Sequence, residues 1–443
     1  MKNKKSIIAA ILLVTLLSPV SLFLTRPALA QTNETAIAKK PLNLIECVEL
    51  ARGANPSILE SEHNLNAQRF KIGQASSSLK PQTNFNTKVN WQDSEMDSRG
   101  VSSSSRFSTK NASVSYSQVL YDGKKIKSGV EIAEIALETA NLNHKKLLMD
   151  TFLKVCENFY SLITSIRLQE LAEGTHKSAV LHEQLADANF KVGISPKTDL
   201  IRAQANTYEK KFGLVSAENT VKRSRLSLNS SMGFAGFDVN VTDTLNCGTI
   251  GVDLNASMNR AIEVRSEVIA IQKSIESIKV QIKQIRAEKS PQLSLGANAG
   301  VDFNNSSKSE SSSYSVFAGV SIPLTNGYLT ENKISELEEK SKAEARRLEA
   351  LKLSVKYDVT QAYLNLMEAF EKIEVSKKNV EYADLTLKLT NEQYKVGLAT
   401  MIDLIDAEVA YNTAMSNFIQ SQGGFLTAKC KFRRNIGEEE FYK

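Results

Sequence analysis

Beyond residue 30 the sequence has no apolar run of about 18 residues, the minimum with which a helix crosses a bilayer. It has four cysteines and four histidines but no CxxC pair and no zinc-type histidine spacing, so we predict no metal site and no cofactor. It also lacks a G-x-S-x-G motif, a phosphate loop and a cysteine–histidine pairing, so we do not expect a hydrolase or any other enzyme. Proline is absent between residues 82 and 195 and after residue 328, which permits very long helices.

The N-terminus has the three parts of a secretory signal peptide. Three lysines lie within the first five residues, an apolar core spans residues 7–17, and Ala28, Leu29 and Ala30 form an A-x-A cleavage site. We therefore predict that residues 1–30 are a signal peptide. They carry four basic and no acidic residues, so the formal charge of +6 falls to +2 and gives no reason to expect a nucleic-acid partner.

The chain repeats one structural unit. Residues 191–203 read KVGISPKTDLIRA and residues 395–407 read KVGLATMIDLIDA, with seven of the thirteen positions identical at an offset of 204. Further upstream, residues 80–82 and 290–292 share Pro-Gln at an offset of 210. The offset changes only between residues 82 and 118, as a longer loop in one copy would require, whereas chance matches would scatter.

Each copy predicts the same order of elements, namely a helix, two strands around a polar loop, a very long helix, a turn at the KVG sequence and a returning helix. The first repeat is predicted at 31–232, with a helix at about 42–79, strands at about 82–92 and 108–121, and long helices at about 124–232. A Gly-rich linker at 233–251 follows. The second repeat is predicted at 252–437, with a helix at about 253–289, strands at about 292–303 and 313–324, and long helices at about 329–436.

The long helices are predicted to pack lengthwise as coiled coils. One apolar stripe recurs about every 3.6 residues and comprises Leu348, Leu351, Val355, Val359, Ala362, Leu366, Ala369 and Ile373. A helix over residues 331–394 would be on the order of 95 Å long at ~1.5 Å per residue. No single-domain core is that deep, so such helices must pack along their length.

The four predicted strands alternate apolar and polar residues over about ten positions, the pattern of membrane β-barrel strands. In the fourth strand Phe317 breaks the alternation by falling on the polar face. Because this pattern is weak in a single segment, the strands alone also fit a soluble sandwich with one solvent-facing surface.

A membrane barrel must close and starts at about eight strands. One chain offers four, so a barrel would have to be shared between two or three chains, with eight or twelve strands. Only a wide barrel leaves a water-filled lumen.

These features together resemble the TolC family of outer-membrane efflux proteins over about residues 40–437. The most specific matches are the two KVG turns followed by DLI-x-A, and the Pro323-Leu324-x-x-Gly327 sequence after the last strand. The resemblance implies a mixed α/β membrane protein with a duplicated unit of two β-strands and long coiled-coil helices. It implies a homotrimer whose 12-stranded outer-membrane β-barrel continues as a 12-helix periplasmic α-barrel.

The resemblance also implies a function and partners. The chain would be a subunit of an outer-membrane exit duct in a tripartite efflux or type I secretion system, in contact with outer-membrane lipid and extending into the periplasm. Its partners would be a periplasmic adaptor and an inner-membrane pump, and its cargo would be small toxic solutes or proteins. A periplasmic coiled-coil scaffold or adaptor without a membrane barrel is the alternative, which explains the helices but not four strands placed alike in both copies.

The resemblance further implies a periplasmic gate where the long helices of the second repeat reverse direction. Tyr394 matches the family's tyrosine, and Asp403 and Asp406 match its two acids. Position 399 is alanine, where the family has arginine. The resemblance therefore does not indicate how this chain would hold the entrance closed. Six carboxylates from three chains would favour cations in a narrow mouth and should raise some of each other's pKa values.

Helix capping competes with the gate as an explanation for one of these acids. Thr400 and Asp403 fit a capping box, whereas Asp406 corresponds to Arg202 in the first repeat, where capping requires no acid.

The two turns would form adaptor-docking tips, which comprise Val192, Gly193, Ile194, Val396, Gly397 and Leu398.

The disulfide state of Cys47, Cys156, Cys247 and Cys430 is left open by the sequence. Cys156 lies 37 residues before Gly193, and Cys430 lies 33 residues after Gly397. The two thiols would therefore be at similar heights, about 55 and 50 Å above the turns. Similar height does not establish that their helices are neighbours.

Overall fold

The element order repeats along the chain. The computed structural model describes residues 41–98, 101–235, 239–242, 245, 251–304 and 309–442, without the side chains of 94–98 and 101–107. The helices are α1 (Leu44–Ala54), α2 (Pro56–Ser77), α3 (Lys125–Lys191), α4 (Lys197–Met232), α5 (Leu254–Val264), α6 (Ser266–Ala287), α7 (Leu329–Lys395) and α8 (Met401–Asn435). The strands are β1 (Gln82–Ser98), β2 (Val101–Tyr121), β3 (Gln292–Asn304) and β4 (Ser309–Ser321). The predicted signal peptide and Cys247 lie outside the described residues.

Each repeat begins with two short helices, where the sequence predicted one. Asn55 is extended and caps α2 with its side chain, and Pro56 occupies the first helical position, where its missing N–H costs no hydrogen bond. In the second repeat Arg265 takes the same extended conformation without a proline. The prediction of single helices over 42–79 and 253–289 was therefore wrong. Asn55-Pro56 marks the break in the first repeat, whereas nothing in the local sequence marks the break at Arg265.

The four strands form one antiparallel sheet in the order β1-β2-β3-β4. The first hairpin is longer than the strands predicted at 82–92 and 108–121, because pairing continues through the serine-rich segment to Ser98 and Val101. The fourth strand begins earlier and ends earlier than predicted at 313–324. Within the described residues, β1 and β4 each pair along one side only, so both edges of the sheet are open.

The strand register gathers the apolar positions on one face. Phe85 pairs with Val114, Val114 with Ala299, and Ala299 with Tyr314, so these residues form one row across the sheet. Phe85 is 68% exposed and Tyr314 is 91% exposed in the single chain. The adjacent row, one position earlier on β1 and β3 and one position later on β2 and β4, is polar and comprises Asn84, Ser115, Asn298 and Ser315. The sheet therefore presents one apolar and one polar face.

Phe317, which breaks the alternation, lies over a glycine on the polar face. Its pairing partner is Gly296, and a Cβ atom at that position would come within 2.3 Å of the Phe317 ring. Because Gly296 has no side chain, the aromatic ring of Phe317 can occupy the space above it. The ring in turn covers the backbone of this glycine within the strand.

The long helices show the duplication in the backbone. The first long helix of each repeat, α3 and α7, has 67 residues, which corresponds to about 100 Å. Both follow a glycine and a non-glycine residue with positive φ, at Gly123-Lys124 and Gly327-Tyr328. No helix among the described residues is long and apolar enough to cross a membrane.

Packing runs along the length of these helices. Within each repeat the two long helices contact each other, and α8 also lies against α3, so the last helix joins the first repeat to the second. The predicted stripe on α7 is confirmed, since Val355 and Val359 are fully buried and Leu366 is 2% exposed. They pack against Phe425 and Phe432 of α8.

Two neighbouring glycines of α8 allow a matched test of its contact with α3. A Cβ atom on Gly423 would lie 2.1 Å from the Thr164 hydroxyl, whereas nothing lies within 4 Å of one on Gly424. We expect Gly423→Ala to be less stable than Gly424→Ala by about 1–3 kcal/mol, the usual effect of overpacking. Denaturant unfolding of the detergent-solubilised variants, followed by circular dichroism, measures this difference. Equal stability would show that α3 and α8 are not in close contact here.

Candidate periplasmic gate and docking tips

The two helical turns have the same backbone geometry. Gly193 and Gly397 have φ values of 76° and 78°, a conformation that glycine adopts without strain. The Ile194 and Leu398 amides each donate to the carbonyl five residues earlier, at 2.9 and 2.8 Å, and so close the helix ends. Both turns expose their apolar side chains, with Val192, Ile194, Val396 and Leu398 between 69% and 81% exposed.

A small apolar cluster holds the start of α8 against the first repeat. Met401 and Leu404 are buried and pack with Ala186 of α3 and Ala203 of α4. Tyr394 is partly buried against the same cluster. Burial and then the nearby Asp199 carboxylate raise the pKa of the Tyr394 phenol. The structure thus brings Tyr394 of the second repeat close to Asp199 of the first.

Asp403 caps α8. Its carboxylate accepts hydrogen bonds from the Thr400 hydroxyl at 2.7 Å and the Thr400 amide at 2.8 Å, and the Asp403 amide donates back to the Thr400 hydroxyl at 3.3 Å. The hydrogen bond from the Thr400 side chain, followed by that from its backbone, lowers the pKa of Asp403. Within one chain Asp403 is therefore an ionised helix-capping residue.

Asp406 has a different environment. It is exposed, and among the described residues it has no side-chain hydrogen bond or salt bridge. Its counterpart in the first repeat, Arg202, is exposed on α4. Packing and capping within the chain therefore do not explain the acid at position 406.

A buried polar network that the sequence did not predict joins α3 and α8 close to the predicted gate residues, two positions after Asp406. The Glu408 side chain is 6% exposed and that of His182 is 17% exposed. One Glu408 carboxylate oxygen lies 2.8 Å from the Ser178 hydroxyl and 2.8 Å from His182 Nε2. Burial alone would raise the pKa of Glu408, but hydrogen bonds from His182 and Ser178 outweigh it, so the pKa is lowered.

One signal in the sequence marks this network. Met401, Leu404 and Glu408 lie at helical spacing on one face, so an acid occupies a position that the pattern reserves for apolar residues. Its partners are more than 220 residues away, and no local pattern identifies them.

We expect Glu408→Ala to weaken the contact between α3 and α8, because Ser178 and His182 would lose their buried partner. The expected loss is roughly 1.5–3 kcal/mol, typical of hydrogen bonds to a charged group. Since the folded pKa of Glu408 is lowered, its contribution is present above the ordinary value of 4.5 and is lost as the pH falls through the folded pKa. Hydrogen exchange of the first turns of α8 measures the effect at neutral pH and below the lowered pKa.

The control for this measurement is Glu381→Ala, which removes an exposed carboxylate paired with Lys378 on α7. We expect it to leave the exchange of α8 unchanged. An equal effect of both variants, or a loss from Glu408→Ala that persists below the lowered pKa, would contradict the assignment.

The long antiparallel helical pairs, the open sheet with one apolar face and the exposed tips define an outer-membrane channel protein of the efflux type. The family model described as outer membrane efflux protein matches residues 47–234 and 258–438. The chain belongs to this family, and the predicted class of protein and outer-membrane location are confirmed.

Curated relatives and solved structures agree with this assignment. The chain is 20% identical over 410 residues to outer membrane protein TolC of Salmonella enteritidis, covering 89% of this chain and 82% of the relative. It is 21% identical over 415 residues to the alkaline protease secretion protein AprF of Pseudomonas aeruginosa, covering 89% and 84%. The CmeC outer membrane channel of Campylobacter jejuni has the same fold, with a TM-score of 0.77 at 12% identity, over 90% of this chain and 86% of that one.

Proposed function

We propose that three copies of this chain form a passive outer-membrane exit duct that receives cargo from an inner-membrane pump through a periplasmic adaptor. The observation that carries the proposal is a sheet open at both edges on top of helices about 100 Å long. Open edges leave a row of unpaired backbone groups, which lipid cannot satisfy. Pairing β4 of one chain with β1 of the next satisfies both edges, and three chains then give twelve strands.

The chemistry of the two faces supports this closure. The row from Phe85 to Tyr314 would face lipid, and the row from Asn84 to Ser315 would line a water-filled lumen. In a soluble scaffold, this exposed aromatic and aliphatic face would be in unfavourable contact with water. The long helices would continue the lumen through the periplasm.

The exposed tips are the proposed docking surface for the adaptor. Val192, Ile194, Val396 and Leu398 form two apolar points at the far end of the molecule from the sheet, one in each repeat. Exposed apolar residues clustered at one end are typical of interaction sites. The quasi-equivalent turns would offer an adaptor two similar sites in every chain, six in a trimer.

The proposed gate comprises Tyr394, Asp403 and Asp406. Three copies would place six carboxylates at the periplasmic mouth, in which Asp403 is fixed by Thr400 and Asp406 is free to interact with ions. Because position 399 is alanine, we propose that the proximity of Tyr394 to Asp199 and the buried Glu408 network hold the adjoining ends of α7 and α8 against the first repeat in the closed state. The proposed opening motion separates these contacts.

Cargo is assigned by the partner pump in this proposal. The family is named for efflux, and the AprF relative is named for protease secretion, so both small solutes and proteins are candidate cargo. The chain itself contributes the duct and performs no chemical step.

Native mass spectrometry and single-channel recording of the protein purified from outer membranes test the proposal. We expect a mass of three mature chains and discrete conductance steps in a planar bilayer. A monomer, or a trimer that inserts without conducting under any voltage, would refute the proposed function.

A further inference from the structure

Two thiols from different repeats face each other inside the molecule. Cys156 lies on α3 and is fully buried, and Cys430 lies on α8 and is 4% exposed. Both are free thiols in this structure. The two thiols are close enough to shift each other's pKa, that of Cys156 upwards and that of Cys430 downwards.

The packing register of α3 against α8 places these residues opposite each other independently of the thiols. One residue further along each helix, Glu157 and Lys431 form a salt bridge of 2.9 Å. Thr164 lies eight residues after Cys156, and it contacts Gly423, which lies seven residues before Cys430. The helices are thus antiparallel neighbours at the level of the thiol pair and towards the tips, and the glycine lets them approach closely.

We propose that Cys156 and Cys430 form a disulfide bond in the mature protein. An outer-membrane protein crosses the periplasm during assembly, a compartment in which disulfides form and persist. Before α3 and α8 pack and bury the two thiols, the thiolate of one cysteine attacks the disulfide of a periplasmic dithiol oxidase, and a mixed disulfide forms. The thiolate of the other cysteine then displaces the enzyme's sulfur, so two electrons and two protons leave the chain and the oxidase is reduced to its dithiol.

Cys47 provides the contrast. It is fully buried in α1, and burial followed by the Glu46 charge raises the pKa of its thiol to about 12. The part of the chain that the structure describes places no second thiol beside it. Cys47 is a structural thiol, and we expect it to remain reduced.

The bond would join the first long helix of the chain to the last. Towards the tips, 37 residues of the first repeat separate Cys156 from Gly193, and 33 residues of the second separate Gly397 from Cys430. In the proposed channel, on which this role of the bond rests, the bond would fix α3 and α8 at one level and leave only their lower ends free to separate when the mouth opens.

Thiol counting in a Cys47→Ser, Cys247→Ser background tests the bond. The chain is taken from outer membranes, denatured with an alkylating reagent and weighed intact, with and without prior reduction. We expect no adduct without reductant and two adducts after reduction. A further Cys430→Ser substitution is the matched control, for which we expect one adduct under both conditions.

The wild-type chain provides the second measurement, because any of these variants could fail to reach the membrane. Its unreduced peptide digest should contain a linked pair with Cys156 and Cys430, which reduction separates. Two adducts on the unreduced background chain, or only unlinked peptides from the wild type, would overturn the proposal. Either result in a protein that still conducts as a trimer would leave the proposed function standing.

Discussion

Replacing Asp406 with asparagine is expected to relieve cation block from the periplasmic side of the channel. Three carboxylates would be lost from the mouth of a trimer, and carboxylate rings in a narrow pore favour cations. We expect the half-blocking concentration of a trivalent cation such as hexamminecobalt to rise at least about tenfold, which corresponds to about 1.4 kcal/mol of binding free energy. The preference for cations over anions should fall in the same recordings. Planar-bilayer conductance with the blocker on one side measures both quantities.

Matched substitutions separate the gate from helix capping. Asparagine at position 403 still accepts the Thr400 hydrogen bonds, so Asp403→Asn removes charge while it preserves the cap. Glu381→Gln removes an exposed carboxylate higher on α7 and should leave cation block nearly unchanged. If the double variant of Asp403 and Asp406 retains wild-type block and selectivity, these acids do not line the mouth.

Glu267→Ala is expected to have the largest effect on stability. Glu267, at the start of α6, lies 3.3 Å from the Arg265 guanidinium and 3.5 Å from that of Arg434, and both arginine side chains are about nine-tenths buried. Burial alone would raise the pKa of Glu267, but Arg265 and Arg434 outweigh it and the pKa is lowered. Removal of the carboxylate takes one of two acidic partners from each buried cation, since Arg265 keeps Asp358 and Arg434 keeps Asp150, at a cost of about 3 kcal/mol.

Denaturant unfolding of the solubilised trimer measures this loss. Glu267→Gln, which keeps the shape and one acceptor, should lose less. Glu381→Ala, which breaks an exposed pair with Lys378, should lose less than about 1 kcal/mol. A loss for Glu267→Ala no greater than that for Glu381→Ala would show that the buried arginines find other partners.

The sequence predicts the repeated architecture well because its signals are periodic and local. The stripe on α7, the glycine turns at 193 and 397 and the alternating strands each follow from residue spacing. The length of the first hairpin was underestimated. Backbone pairing between β1 and β2 continues through a serine-rich segment in which apolar and polar residues do not alternate. The break at Arg265 was missed because no proline or glycine marks it.

Contacts between repeats could not be predicted from spacing. Glu408 contacts His182 and Cys430 faces Cys156 because α8 packs on α3, and the sequence does not specify which helices are neighbours. Comparison of the two repeats did distinguish Asp403 from Asp406. Asp403 proves to be a helix cap within the chain, whereas Asp406 has no such explanation and remains the stronger gate prediction.

Photo-crosslinking at the edge of the sheet shows whether other copies of the chain complete it. Benzoylphenylalanine in place of Tyr314, an exposed aromatic residue of the edge strand β4, should crosslink in intact cells to β1 of another chain. The same probe in place of Phe303, on the interior strand β3, should crosslink within the chain. We expect covalent dimers and trimers from the first probe, with the attachment mapped to residues 82–98. Crosslinks from position 314 that stay within a single chain would show that β4 does not pair with another copy.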